Sequence, residues 1–587
     1  MTATGILALV AMGLVVVAST VIGSIGTRAR GTSDFLVASR TVGPAANAGA
    51  ISGEYLSAAS FLGVAGLILR DGVDALWYPV GYTAGYVALV LFVAAPLRRS
   101  GAYTVPDFAE ARLRSPGLRK LCTVFVVIIG WLYLLPQLHG AGLTVETVTG
   151  LPAWTGAVTA AVVVVGTVVL GGMRSVTFVQ AFQYWLKLTA LILPAVFALI
   201  FFVNADRSLD RPAPPQFLDR TTVDIRTDVQ LQVQFPVSVT VTGVITGPTG
   251  PPVVYTDDET RLVEGLNTVQ AGAKLEFAGG APVPVVAGAP VTDADWLTPY
   301  AAGREYGMLG TYSLIIATFL GTMGLPHVLV RFYTNPDGRA ARRTAVIVLA
   351  LLGAFYMVVT LLGALSRLYT PQLLVTGETD AAILLLPAAV LGTGPTGVVL
   401  AGIVAAGAWA AFLSTSSGLI VSVAGVLATD VLGSGKVRDF RLAAVVAGAV
   451  PLALSLGVTR LDFSEAVALV FAISASTFCP LLVLGIWWRG LTDVGAFVGV
   501  LVGGLLSAGA VTVALSGFVG PGWLGVLLYR PAIVSVPAAF LAMAVVSRLT
   551  AGRTPVDVDQ VMLRLHAPER LGLSRDRLTE RVRRPTG

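Results

Sequence analysis

Three apolar stretches of this chain carry polar or helix-breaking residues where a membrane-spanning helix ordinarily has none. NAGAISGEYLSAASFLGVAG places Gly53, Glu54, Ser57 and Ser60 among small residues. ATFLGTMGLPHVLVRFYT brings Gly321, Gly324 and Pro326 close together, and AGAWAAFLSTSSGLIVSVAGVLATD runs through Ser414, Thr415, Ser416, Ser417 and Gly418. A helix broken inside a bilayer frees carbonyl and N–H groups, and such breaks persist only where those groups line a cavity or hold an ion or solute. Pro326 removes one donor outright. Alternatively, small and hydroxyl residues serve as helix-packing contacts. Two ionisable residues also fall at depth, each at a cost of at least about 2.5 kcal/mol. Glu54 could lend negative field to a cation path or take up a proton, or it could be a paired structural carboxyl. Lys187, in QAFQYWLKLTALIL, could pair with Glu54, attract an anionic solute, or snorkel towards the membrane surface. His139 and His327 are expected to be packed and hydrogen-bonded rather than metal ligands, because no second His, Cys or acid stands at metal spacing.

The elements that would hold these residues are membrane helices. Of 587 residues, 55% are hydrophobic and 12% charged, and the mean hydropathy is +0.81; a soluble protein carries about 25% charge. Apolar stretches long enough to span a bilayer lie near 4–23, 45–68, 75–97, 121–143, 154–171, 179–203, 307–328, 344–365, 395–429, 442–458, 464–488, 494–516 and 531–547, about thirteen in all. The first has no basic residue before it and the first charge is Arg28, so it is expected to stay as a helix rather than be cleaved as a signal peptide. Alternate loops separate by charge. One set carries 27 Lys and Arg, nine of them from Arg548 to Arg584; the other set's short loops hold only Arg70, Arg367, Arg460 and Arg530. The positive-inside rule then puts the N-terminus outside and the C-terminus in the cytoplasm, which requires an odd number of spans. The excess positive charge thus signals topology in a lipid bilayer, not nucleic-acid binding. Cys122 and Cys479 sit in or beside apolar segments far apart and suggest no disulfide framework.

Four regions follow: a first transmembrane half over 1–203, an extracytoplasmic insert over 204–306, a second half over 307–548 and a basic tail over 549–587. The insert holds 13 acidic and 7 basic residues. Within it VQLQVQFPVSVTVTG alternates with period two and GPTGPP follows as a turn, so β-strands are expected, with a disordered loop as the alternative. None of the break motifs lies in the insert, which therefore reads as an appendage dispensable for coupling. The tail suggests a short amphipathic helix. The second and seventh spans, both interrupted, stand five spans apart, the pattern of an inverted repeat with a site near the midplane.

The segments GEYLSAASFLGVAGLI, YTVPDFAEARL, LGGMRSVTFVQAFQY, GLPHVLVRFYT and FLSTSSGLIVSVAGVLATD resemble the sodium:solute symporter family, and within it the cation/acetate branch, over nearly the whole chain outside the insert and tail. The resemblance implies an all-α multi-pass membrane protein with a LeuT-like five-plus-five inverted repeat, one helix before it and two after. It also implies a sodium site built from the carbonyls of Gly53, Leu56 and Ala411 and the hydroxyls of Ser414 and Thr415. Ala411, Ser414 and Thr415 share one helix face, and neutral oxygens suit a hard cation. A small solute is expected beside the ion, contacted by Gln137, Thr318, Thr322 and Gly324, with Glu54 and Lys187 in coupling. The function so implied is sodium-coupled symport of a short-chain monocarboxylate such as acetate, in the cell membrane. A proton-coupled symporter using Glu54 or Lys187 stays open, as does, more remotely, a sensor built on a transporter-like bundle. No enzyme is expected, because no HExxH, GxSxG or P-loop motif occurs.

Overall fold

A computed structural model describes residues 3–25, 42–204, 209, 214–300, 306–433, 436–457, 463–516, 520, 522–568 and 571. Arg28, Arg30, Arg40, Arg460 and the tail arginines from Arg570 onward, which enter the charge count above, lie outside the described residues.

Ten runs among the described residues are long and apolar enough to cross a membrane. Helix α1 spans Ala3–Ile25. The next crossing is discontinuous: α2, Pro44–Tyr55, ends at Leu56 with φ −79° and ψ 87°, and the chain resumes through a π-turn into α3, Val64–Asp71. After a tight turn over Gly72–Leu76 comes α4, Trp77–Leu89, then α5, Pro116–Thr149. The 52-residue run α6, Ala153–Asn204, is two crossings, because Gly172 stands at φ 60° and ψ −166° inside it, a conformation costly for any residue with a Cβ. Beyond the insert, α7, Gly307–Gly324, and α8, Pro326–Tyr333, form a second discontinuous crossing that bends at Leu325, ψ 113°, where Pro326 cannot continue the ladder. Then follow α9 Gly338–Tyr369, α10 Pro395–Val426, α11 Val437–Ser455, α12 Phe463–Trp487, α13 Asp493–Leu515 and α14 Ala532–Leu549. Divided at the turn over Gly72–Leu76 and at Gly172, and with Val437–Ser455 added, the ten runs give thirteen segments, the number expected. In the tail, a helix at Val558–His566 buries Met562 and Leu565 and keeps a charged outer face.

The insert folds as seven strands: β1 Thr221–Asp224, β2 Val229–Val233, β3 Val237–Thr246, β4 Val253–Leu262, β5 Gly265–Val269, β6 Lys274–Phe277 and β7 Val285–Val286. They form one antiparallel sheet ordered β1-β6-β3-β5-β2-β7, with β4 also paired to β3. Alternation sends Val229, Leu231 and Val233 inward, and Phe217 stacks on Phe277 at 4.6 Å, so a core forms despite few aromatics.

The insert packs directly on the helical bundle. Its core is continuous with Leu69, Leu373, Leu374 and Val375 of the helical bundle. Trp296 Nε1 donates to the Ile68 carbonyl at 2.7 Å, and Arg367 Nε of α9 donates to Asp293 Oδ1 at 2.7 Å with its guanidinium over the Trp296 ring. Three arginines counted as loop charges are corrected: Arg112, Arg331 and Arg367 are all fully buried. Arg331 and Arg367 each sit near the end of an apolar run, where sequence alone cannot reveal the distant carboxylate that makes burial tolerable, and Arg112 is held by the Gly485 and Trp488 carbonyls.

Candidate functional site

The two interrupted crossings lie side by side. Asn47 of α2 donates through Nδ2 to the Arg331 carbonyl of α8 at 3.2 Å, and Thr334 donates to Asn47 Oδ1. Between them runs a buried ion pair: Arg331 Nε donates to Glu54 Oε2 at 2.5 Å, both side chains about 1% exposed. The guanidinium also donates to Thr177 Oγ1 at 2.8 Å and to Gln180 Oε1 on α6. Gln180 Nε2 in turn donates to the Ser414 carbonyl of α10 at 2.7 Å. One network therefore ties both breaks to α6 and α10. Glu54 fits only because Gly418 faces it: a Cβ there would meet Glu54 Oε1 at 1.9 Å.

The five residues assigned to sodium by resemblance come together at the first break, with Lys187 among them. Lys187 Nζ of α6 donates to Gly53 O at 2.5 Å, Leu56 O at 2.8 Å and Ser414 Oγ at 3.0 Å. Ser414 Oγ lies 2.7 Å from Gly53 O and 3.1 Å from Ala411 O as its acceptors, while Thr415 Oγ1 donates to the Glu54 carbonyl at 2.7 Å. Lys187 thus engages carbonyls freed by the break rather than Glu54, and it does not snorkel. Neutral oxygens of this kind suit sodium, but here three of them already accept from the ammonium.

Beside the first break lies an aromatic layer. Tyr55 OH sits 3.0 Å from Thr322 Oγ1, Tyr82 packs on Phe471 at 4.8 Å, and Tyr133 meets His327 edge-on at 5.2 Å. Gln137 Oε1 accepts from Ala58 N at 2.9 Å, just past the break, but its Nε2 has no partner among the described residues. The same holds for both ring nitrogens of His327 and the hydroxyls of Tyr82 and Tyr86. His327 is packed as expected but not hydrogen-bonded, a correction that follows from its place directly after Pro326, facing the layer. Thr318 turns elsewhere: its hydroxyl is held by Leu314 O at 2.9 Å and it packs against Gly81 of α4. Gly324 lies against Ser474 of α12.

A cavity of about 920 Å³ opens on the insert side, lined by Arg70, Asp74, Tyr78, Leu314, Arg530 and, from the insert, Val286 to Gly288. Tyr78 is in edge contact with Tyr82, so the cavity floor adjoins the aromatic layer. On the opposite side arginines pin the helices together: Arg98 donates to Asn335 O and Pro336 O, Arg112 to Gly485 O at 2.9 Å, and Arg119 pairs with Asp430 and Glu110.

Sequence reasoning missed Arg331, Gln180, Tyr55, Tyr82, Tyr133 and Phe471. One signal was available: Tyr78, Tyr82 and Tyr86 recur every four residues and mark one face of α4.

Two discontinuous helices meeting over a buried polar layer are the arrangement of a multi-pass secondary transporter. The chain belongs to the sodium:solute symporter family, whose sequence profile matches residues 35–255 and 284–503; the gap falls inside the insert. Membership makes it a transporter and not an enzyme, and implies sodium-coupled solute symport. The chain is 28% identical to the uncharacterized symporter YwcA of Bacillus subtilis over 556 residues, covering 91% of this chain and 92% of that protein. It is equally 28% identical to the monocarboxylic acid transporter of Corynebacterium glutamicum over 555 residues, covering 90% and 88%. Among solved structures, a substrate-bound, outward-open sodium-coupled sialic acid symporter matches with a TM-score of 0.62 at 14% identity, over 92% of this chain and 98% of that one. The LeuT-like fold is thereby established.

Proposed function

We propose that this chain carries a short-chain monocarboxylate such as acetate, propionate or pyruvate across the cell membrane by alternating access. The observation that carries the reading is the aromatic layer beside the break. Buried donors without protein partners, Gln137 Nε2 foremost, stand where a small solute would bond to them. The donors are neutral, and the tyrosines and Phe471 around them are buried. Similarity to a monocarboxylic acid transporter supports the same solute class. Gln137 and Thr322 would contact the solute. Gly324 would shape its pocket against α12, and Thr318 would act indirectly by seating α7 on α4. With the insert side taken as outside from the arginine distribution, the cavity is the solute's entry and the arginine contacts opposite form the closed gate. Glu54, paired with Arg331, would hold the two half-helices in step.

The test is binding of labelled acetate or pyruvate to the purified protein by scintillation proximity, in competition with proline and glucose. Displacement by unlabelled short-chain acids alone supports the reading. Binding of proline or glucose with no short-chain acid bound would move the chain to another solute class.

A further inference from the structure

Lys187 is a lysine with every donor used. An ammonium group has three N–H donors, and here three acceptors surround it: Gly53 O, Leu56 O and Ser414 Oγ, at 2.5, 2.8 and 3.0 Å. The side chain is fully buried. Two of the acceptors are carbonyls that exist as free acceptors only because the helix breaks after Tyr55. Its placement does not come from an ion pair, since Glu54 is bonded to Arg331. On the facing helices, Ser414 of α10 bonds to it and Thr415 bonds to the neighbouring Glu54 carbonyl, and neither carries charge.

We infer that the Lys187 ammonium is this chain's own cation at the position the family resemblance gives to sodium, so that sodium does not bind at the first break while Lys187 is present. The ammonium and a sodium ion would need the same three oxygens, and two like charges on one ligand set repel at contact distance. The ammonium is also tethered, so its local concentration at the site exceeds that of any ion in solution. The structural job of the ion, bridging the break to α10, is done by a covalently attached group contributed by α6. A sodium gradient is therefore not read at this position. The inference rests on the transporter reading only for its consequence, because it is tested without any solute.

The experiment compares thermal unfolding of the purified full chain in detergent with sodium, potassium or choline chloride at equal ionic strength. Wild type should melt at the same temperature in all three. Lys187→Ala, which removes the ammonium but leaves the oxygens, should melt lower and regain stability with rising sodium, saturably and not with potassium, since a ligand that binds only the folded state raises its stability. Lys187→Met, which fills the space without donors, should melt low in every salt. A saturable, sodium-specific stabilisation of wild type that Ser414→Ala abolishes would overturn the inference, and this comparison does not depend on Lys187→Ala being recoverable. A folded Lys187→Ala protein indifferent to sodium would overturn it as well, because the oxygens would then not be a sodium set. Failure of acid binding leaves these outcomes unchanged, so the two readings fail separately.

Discussion

Removing one partner of the Glu54–Arg331 pair should destabilise the bundle more than removing both. At an effective dielectric of 20, charge centres about 4 Å apart attract by about 4 kcal/mol, and breaking a buried pair typically costs about 3–5 kcal/mol because the survivor is left uncompensated. The two single variants should differ. In Arg331→Met the stranded carboxyl can be relieved by taking up a proton, whereas in Glu54→Gln the guanidinium stays charged and keeps only neutral partners: Thr177, Gln180, the Met173 sulfur and the new amide oxygen. Glu54→Gln should therefore be the worse of the two, and Glu54→Gln with Arg331→Met should recover part of the loss. The assay is a double-mutant cycle on unfolding half-lives in detergent, since a membrane protein of this size will unfold irreversibly and is ranked by rate. Additive effects of the two substitutions, or singles as stable as wild type, would refute the buried-pair account.

Asp293→Asn should destabilise by about 3 kcal/mol, because Arg367 is fully buried and loses its carboxylate; a melt no lower than wild type would mean that the Leu69, Pro290 and Thr292 carbonyls suffice for the guanidinium without a carboxylate. Replacing 204–306 by a short linker should lower the melting temperature for the same reason, and by stripping cover from Leu373 to Val375. Tyr86→Phe should leave stability equal or raise it by up to about 1–3 kcal/mol, since its buried hydroxyl has no partner to lose among the described residues, while Gln137→Leu should weaken acid binding at least about tenfold, the worth of one well-placed hydrogen bond, measured by the same proximity assay. Gly418→Ala should unfold readily or fail to accumulate, because its methyl group would overlap the Glu54 carboxyl.

The helices are legible in the sequence because an uncharged apolar run of span length has little else it can form, and β2 and β3 because period-two alternation is written plainly in VQLQVQFPVSVTVTG. Two of the three interrupted stretches are breaks: Gly53 to Ser57 and Gly324 to Pro326 are where the chain leaves helical geometry, whereas Ser414 to Gly418 lie inside the unbroken helix α10, where small and hydroxyl residues let α2 approach closely. What sequence does not supply is partnership. Lys187 meets Gly53 across 134 residues and Arg331 meets Glu54 across 277, and nothing local to any of them announces the other. For the same reason Arg331 and Arg367 pass for loop charges in the sequence. The insert passes for a separate unit because its composition is that of a soluble sheet, whereas its attachment depends on single residues, Trp296, Asp293 and Arg367, that composition cannot weigh. Thr318 and Thr322 show another feature that sequence does not supply: each hydroxyl donates to the carbonyl four residues earlier in its own helix.

The most direct test of the central claim is counterflow. Proteoliposomes preloaded with unlabelled acetate, propionate or pyruvate and diluted into trace labelled acid should accumulate label transiently with wild type and not with Gln137→Leu, independently of any imposed ion gradient. Accumulation of labelled proline or glucose under the same conditions, with every short-chain acid silent, would contradict the assignment of the aromatic layer beside the break to a monocarboxylate.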